Sequence, residues 1–153
     1  MKLTNVNEVL TFAIRKEADA AAFYRMAADR SNPGVKKAFE ELAREEDGHR
    51  KKLETVDLKK MEQAEVKPPK GPAQGLGIAE MFADVPYSSD MSYADLLRMA
   101  MKNEEASHHL YTSASQAVSE PGLKKFLLVL AQEESTHKER LEKIYEKDIL
   151  QEF

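Results

Sequence analysis

The chain contains no cysteine. That excludes disulfides, thiolate nucleophiles, haem attachment through sulfur and every cysteine-based metal site, so any metal must sit on oxygen and nitrogen. Aromatic residues are few, at 7%. No apolar run approaches the roughly 20 residues that a membrane span needs. The opening residues, Met1 to Leu10, are polar and lack the apolar core of a secretory signal. The expectation is a cytoplasmic protein. A formal net charge of −4 gives no reason to expect nucleic acid or an acidic membrane surface as partner. What fills the chain instead is Ala, Leu, Glu and Lys, with 33% charged residues, a mixture that favours long helices.

Four long segments read as helices, over about 5–30, 33–65, 92–118 and 121–147. Asn5 with Glu8 forms a capping-box pattern before the first. Pro33 in Ser31-Asn32-Pro33-Gly34 suits the first position of the second. Ser92 with Asp95 opens the third, and Ser119-Glu120-Pro121-Gly122 precedes the fourth. Lys67-Pro68-Pro69-Lys70-Gly71-Pro72 stops any helix. The stretch from Val66 to Met91 is too long for a tight hairpin and reads as a crossover, with a short helical turn at Ile78–Phe82. The other two connections are short, which makes the first two helices and the last two antiparallel pairs. The fold class is therefore all-α: a four-helix bundle with a long crossover between helices two and three.

The halves repeat each other. A shift of 88 lays helix two on helix four: Val35 on Leu123, Phe39 on Leu127, Leu42 on Leu130, Glu46 on Glu134, His49 on His137 and Leu53 on Leu141. A shift of 87 lays helix one on helix three: Leu10 on Leu97, Ala13 on Ala100, Glu17 on Glu104 and Tyr24 on Tyr111. The repeating unit is a helical hairpin.

The matched positions alternate four and three apart, the spacing of an amphipathic helix's buried stripe. Glutamate and histidine interrupt that stripe where aliphatic residues are expected. An uncompensated buried carboxylate is costly and escapes by protonation, pairing or metal binding. Glu17, Glu46, Glu104 and Glu134 carry four negative charges, and His49 and His137 can stay neutral. Two divalent cations balance this set and use all six side chains. Residues three apart on a helix share a face, so the Glu and His of Glu-x-x-His can reach one metal. The general pattern for di-iron carboxylate bundles is one Glu from each of two helices plus Glu-x-x-His from the other two. Oxygen-rich ligation with one imidazole per metal suits iron or manganese; on ligand type alone zinc also fits.

A single Glu-x-x-His is a weak signal. With four histidines, about half of one such pair arises by chance, and Glu105 with His108 is such a decoy. Its counterpart in the repeat is Ala18, and it points away from the stripe. The strength lies in two copies in register with the buried stripe.

Glu17-x6-Tyr24, Glu45-Glu46-x-x-His49, Glu104-x6-Tyr111 and Glu133-Glu134-x-x-His137 together resemble the erythrin, ferritin-like domain of the rubrerythrin family, over essentially the whole chain. The resemblance implies a single ferritin-like di-iron domain over 1–153. It implies that Glu46 and Glu134 bridge two irons, Glu17 and Glu104 are terminal ligands, and His49 and His137 cap one iron each. Tyr24 and Tyr111 then donate hydrogen bonds to the carboxylates; the alternative is ordinary core tyrosines. The implied activity is reduction of hydrogen peroxide or dioxygen in oxidative-stress defence, by a homodimer drawing electrons from an external donor such as a rubredoxin-like protein. Two further readings stand: a ferritin-like ferroxidase that handles iron, and a metal-stabilised helical module without turnover. Rubrerythrins proper carry another glutamate three residues after the first on helix three, where this chain has Ser107. Their rubredoxin-like domain with paired Cys-x-x-Cys is also missing from these residues.

Outside the six, Glu45 and Glu133 read as flank residues facing solvent and His109 as a surface residue. His108, one turn after Glu104 and near the inward face, reads as an ordinary polar histidine, the alternative being that it replaces the missing carboxylate. The clusters Lys36-Lys37, Lys51-Lys52 and Lys124-Lys125 read as solvated faces. Met26, Met99 and Met101 read as helix packing or a subunit surface.

Overall fold

The first helix begins where the side chain of Asn5 takes over the first free amides. Its oxygen accepts from the Asn7 N–H at 2.8 Å and the Glu8 N–H at 3.4 Å, the usual role of an N-terminal cap. This is seen in a computed structural model that describes residues 5–65 and 75–152. Helix α1 covers Val6–Asp29. Arg30 and Ser31 turn the chain, and Asn32 caps α2, Pro33–Thr55, with Pro33 in its first turn.

The spacing predicts one helix over 33–65, but the chain folds there as two. Val56 is extended (φ −63°, ψ 133°). The Asp57 carboxylate accepts from the Lys59 and Lys60 amides at 3.1 and 3.2 Å and starts α3, Leu58–Glu62. A short acidic side chain that bonds its own backbone competes with helix continuation. Downstream, α4 is Tyr93–Ala117 and α5 is Pro121–Asp148. Ser92 Oγ accepts from the Asp95 N–H at 3.1 Å. The Glu120 carboxylate accepts from the Gly122 and Leu123 amides, so Glu120 is the cap that starts α5. No strand occurs among the described residues.

The chain divides into two units, residues 1–65 with 114–126 and residues 66–113 with 127–153. In the first, α1 and α2 form an antiparallel hairpin. Tyr24 stacks on Phe39 at 6.0 Å between ring centroids, while Glu17 meets His49 further along. Val9, Ala13, Ala21, Val35, Phe39, Leu42 and Leu53 are buried there. Gly122, in the first turn of α5, lies against the Leu58 backbone where a Cβ would collide. The Lys124 and Lys125 ammonium groups bond carbonyl oxygens of Ser115 and of Glu62 and Ala64. These two lysines are half-buried rather than freely solvated, whereas Lys36, Lys37, Lys51 and Lys52 are exposed.

In the second unit α4 and α5 run antiparallel, as the Tyr93–Asp148 and Arg98–Tyr145 hydrogen bonds show at one end and His108–Ala131 at the other. Residues 66–74 of the expected crossover lie outside the described residues. Within Ile78–Phe82, a single 3-10 turn forms at Ala79–Met81. Its anchor is the Glu142 carboxylate, which accepts the Leu76 and Ala79 amides at 2.9 and 2.8 Å. Gly75 has φ +137°, and a Cβ there would overlap that carboxylate, so glycine is required on both counts. Lys138, itself fully buried, bonds both Glu142 oxygens and reaches Glu80 at 2.9 Å. Among the described residues no helix is long and apolar enough to cross a membrane.

Candidate metal centre

In the first unit, α1 supplies Glu17 while α2 supplies Glu46 and, three residues on, His49. The helical repeat puts the latter two on one face, and that face is the buried one. Glu17, Glu46 and His49 are 1%, 1% and 5% exposed. His49 Nδ1 lies 3.5 Å from Glu17 Oε2 and 3.7 Å from Glu46 Oε1. One donor atom from each residue falls within 4.8 Å of the others.

The second unit repeats the arrangement. Helix α4 supplies Glu104 and α5 supplies Glu134 and His137, all buried. His137 Nδ1 lies 3.6 Å from Glu104 Oε1, and the donor atoms of the three again fall within 4.8 Å of one another.

Each trio fits a metal ion. Donors held about 2.1 Å from one ion lie at most about 4.2 Å apart, and the measured imidazole–carboxylate separations fall inside that limit. Two carboxylates and one imidazole make an oxygen-rich, sulfur-free set for a first-row divalent cation. Two buried carboxylates with oxygens within 4.8 Å of one another repel when both are ionised, and a cation removes that penalty.

Tyr24 and Tyr111 are buried in their respective units. Glu45 and His109 are exposed, and Glu133 is half-buried. Glu105 is engaged by Lys102 at 2.7 Å, apart from either trio. His108 is only 1% exposed, and its Nδ1 contacts the Ala131 carbonyl oxygen at 2.8 Å. Its position one turn after Glu104 places it near the inward face in the sequence, and the structure buries it. The buried pair Lys138 and Glu142 has no such signal, because Lys and Glu four apart is the usual pattern of an exposed helix face.

A family model for rubrerythrin matches residues 8–75 and 95–152. The chain belongs to the rubrerythrin family. Both matched segments carry their share of the two trios, with Glu17, Glu46 and His49 in the first and Glu104, Glu134 and His137 in the second. Membership brings the all-α ferritin-like helical bundle, in agreement with the helices described above. No curated protein and no solved structure matches the chain. As a rubrerythrin-family protein without cysteine, these residues hold no rubredoxin-type iron site. The buried carboxylate and imidazole groups are a donor set that could hold metal ions.

Proposed function

We propose that the two trios together hold a pair of iron ions and that the protein is an oxidoreductase reducing hydrogen peroxide or dioxygen. By the likeness to rubrerythrins, Glu46 and Glu134 would be shared by the two ions, Glu17 and Glu104 would be terminal ligands, and His49 and His137 would each hold one ion. The observation that carries it is the pair of buried Glu/Glu/His trios, one in each half of an internal repeat. Family membership supports iron as the metal, with manganese or zinc as substitutes on ligand type.

A pair of irons supplies two electrons at once to an oxidant. The chain's own part is to hold the carboxylates and imidazoles at fixed separations and keep bulk water from them. Tyr24 and Tyr111 serve as hydrogen-bond donors that orient the carboxylates. Electrons come from a separate donor such as a rubredoxin-like protein, since no sulfur-ligated iron fits within this cysteine-free chain. A homodimer is the assembly that goes with this reading.

Anaerobic titration with ferrous iron should reach about two ions per chain, as the donor set requires. On rapid mixing, reduced protein should reoxidise faster with hydrogen peroxide than with dioxygen; the reverse order favours an oxygen-activating centre. Glu46→Ala should lower the iron stoichiometry. Two ions retained in that variant would remove Glu46 from the site.

A further inference from the structure

His108 is a buried imidazole that neither trio includes. Its Nδ1 lies 2.8 Å from the Ala131 carbonyl oxygen. A carbonyl only accepts, so Nδ1 carries the proton and donates, and in the neutral ring Nε2 is then the nitrogen with the lone pair. That Nε2 is buried and has no hydrogen-bond partner among the described residues. A buried acceptor left in this state costs on the order of 1–3 kcal/mol, so a ligand for it has to be sought.

Both neighbours of the imidazole point to the same kind of ligand. His108 stands one helical turn after Glu104 on α4, and Ala131 stands one turn before Glu134 on α5, so the ring lies in the layer next to the second trio. Metal-bound histidines nearly always give their other ring N–H to a carboxylate, a carbonyl or water. His108 already has that outer half of the pattern, with its lone pair turned to the buried side. Four protein residues, counting Glu46 as shared, also leave a coordination position open on an ion that takes about five or six ligands.

We propose that His108 is a further metal-ligating residue, its Nε2 binding the ion held by Glu104, Glu134 and His137. The proposal rests on the reading of that trio as a metal site. The donor atoms that gather within 4.8 Å do not include His108, so on binding the ion and the trio's side chains settle toward Nε2 while Nδ1 keeps its bond to Ala131. It makes the second unit's site richer in nitrogen than the first. The residue that corresponds to His108 in the repeat is Ala21 (108 − 87 = 21), which has no donor atom, so the two ions differ in ligand field.

The test is two-bond proton–nitrogen correlation on nitrogen-15-labelled protein, metal-free and loaded with zinc, which keeps all imidazoles visible. Metal-free protein should show His108 protonated at Nδ1 and not at Nε2. Zinc should shift His108 Nε2 together with one ring nitrogen each of His49 and His137. Shifts at His49 and His137 with none at His108 would overturn the proposal and leave the trios standing as metal sites. If no imidazole responds, the metal reading itself fails and this one with it. His108→Gln, with helicity checked by circular dichroism, should weaken binding of one of the two zinc ions by about tenfold or more. Unchanged affinity overturns the proposal, and if the variant does not fold the spectra of the unaltered protein decide.

Discussion

Lys138 donates to both carboxylate oxygens of Glu142 at 3.2 Å, and neither side chain is exposed to any extent. The internal repeat supplies the comparison. Moved back by 88, the pair becomes Arg50 and Glu54, 3.6 Å apart with side chains 36% and 46% exposed. The same i, i+4 pair is thus buried in one unit and wet in the other. The difference is the segment from Gly75 to Glu80, whose amides and carboxylate complete the buried cluster.

Removing one partner of a buried ion pair leaves a charge without compensation, which typically costs about 3–5 kcal/mol, whereas an exposed pair contributes about 0–1 kcal/mol. Glu142→Ala should therefore lower unfolding stability by about 3 kcal/mol, the remaining Lys138–Glu80 contact limiting the loss. Glu54→Ala should change it by less than about 0.5 kcal/mol. Urea denaturation of the two variants decides; equal effects would contradict the burial difference.

Gly34 and Gly122 are also repeat partners. A Cβ at Gly34 meets only Asn32 Oδ1 at 3.6 Å, while one at Gly122 runs into the Leu58 backbone. Backbone cannot swing aside as a side chain can. Gly122→Ala should destabilise by about 1–3 kcal/mol, and Gly34→Ala should be neutral or slightly stabilising. Thermal melting of both variants reads the contrast, and tolerance of alanine at 122 would argue against the α3–α5 approach.

Tyr93 donates its hydroxyl to Asp148 at 2.7 Å. Burial and the neighbouring carboxylate both disfavour the phenolate and push its pKa well above the ordinary value of 10.0. The folded state therefore holds this proton more tightly than the unfolded chain. The resulting stabilisation is complete below about pH 10 and is lost as pH rises through the higher folded-state value. The wild type should exceed Tyr93→Phe by about 1.5 kcal/mol at neutral pH, with the gap closing in strongly alkaline solution. The phenolate absorbance missing from the variant should appear in the wild type only as it unfolds. A gap that does not change with pH would be inconsistent with this linkage.

Metal and stability should be coupled if the trios bind ions. A ligand bound only by the folded state, at a free concentration 100 times its dissociation constant, stabilises by about 2.7 kcal/mol per site. Calorimetry should show a higher melting temperature with ferrous iron or zinc and a return to the lower value on chelation. Glu17→Ala together with Glu104→Ala should remove the metal dependence. Equal melting temperatures with and without metal would fit a helical module whose acidic residues do not hold ions.

Much of this was legible in the chain. Asn5, Asn32 and Ser92 mark helix starts because short polar side chains there accept backbone amides, an interaction that needs only neighbours in sequence. The Glu, Glu and His of each trio stand out because 3.6-residue periodicity assigns them to a face otherwise filled by Leu, Phe, Ala and Val. The break at Val56-Asp57 is also local, yet it hides inside a run of good helix formers. Only its Asp57 cap betrays it.

What composition and periodicity determined by themselves were helices, their caps, the duplicated hairpin and the six side chains on the buried stripe, because those depend on spacing along one element. Which of two equivalent Lys/Arg–Glu pairs is dry, which of two equivalent glycines is indispensable, and that the His108 ring meets the Ala131 carbonyl were decided only by tertiary structure. Each depends on what another segment places against that surface, and the desolvation and steric contact that follow are set by distance in space rather than by separation along the chain.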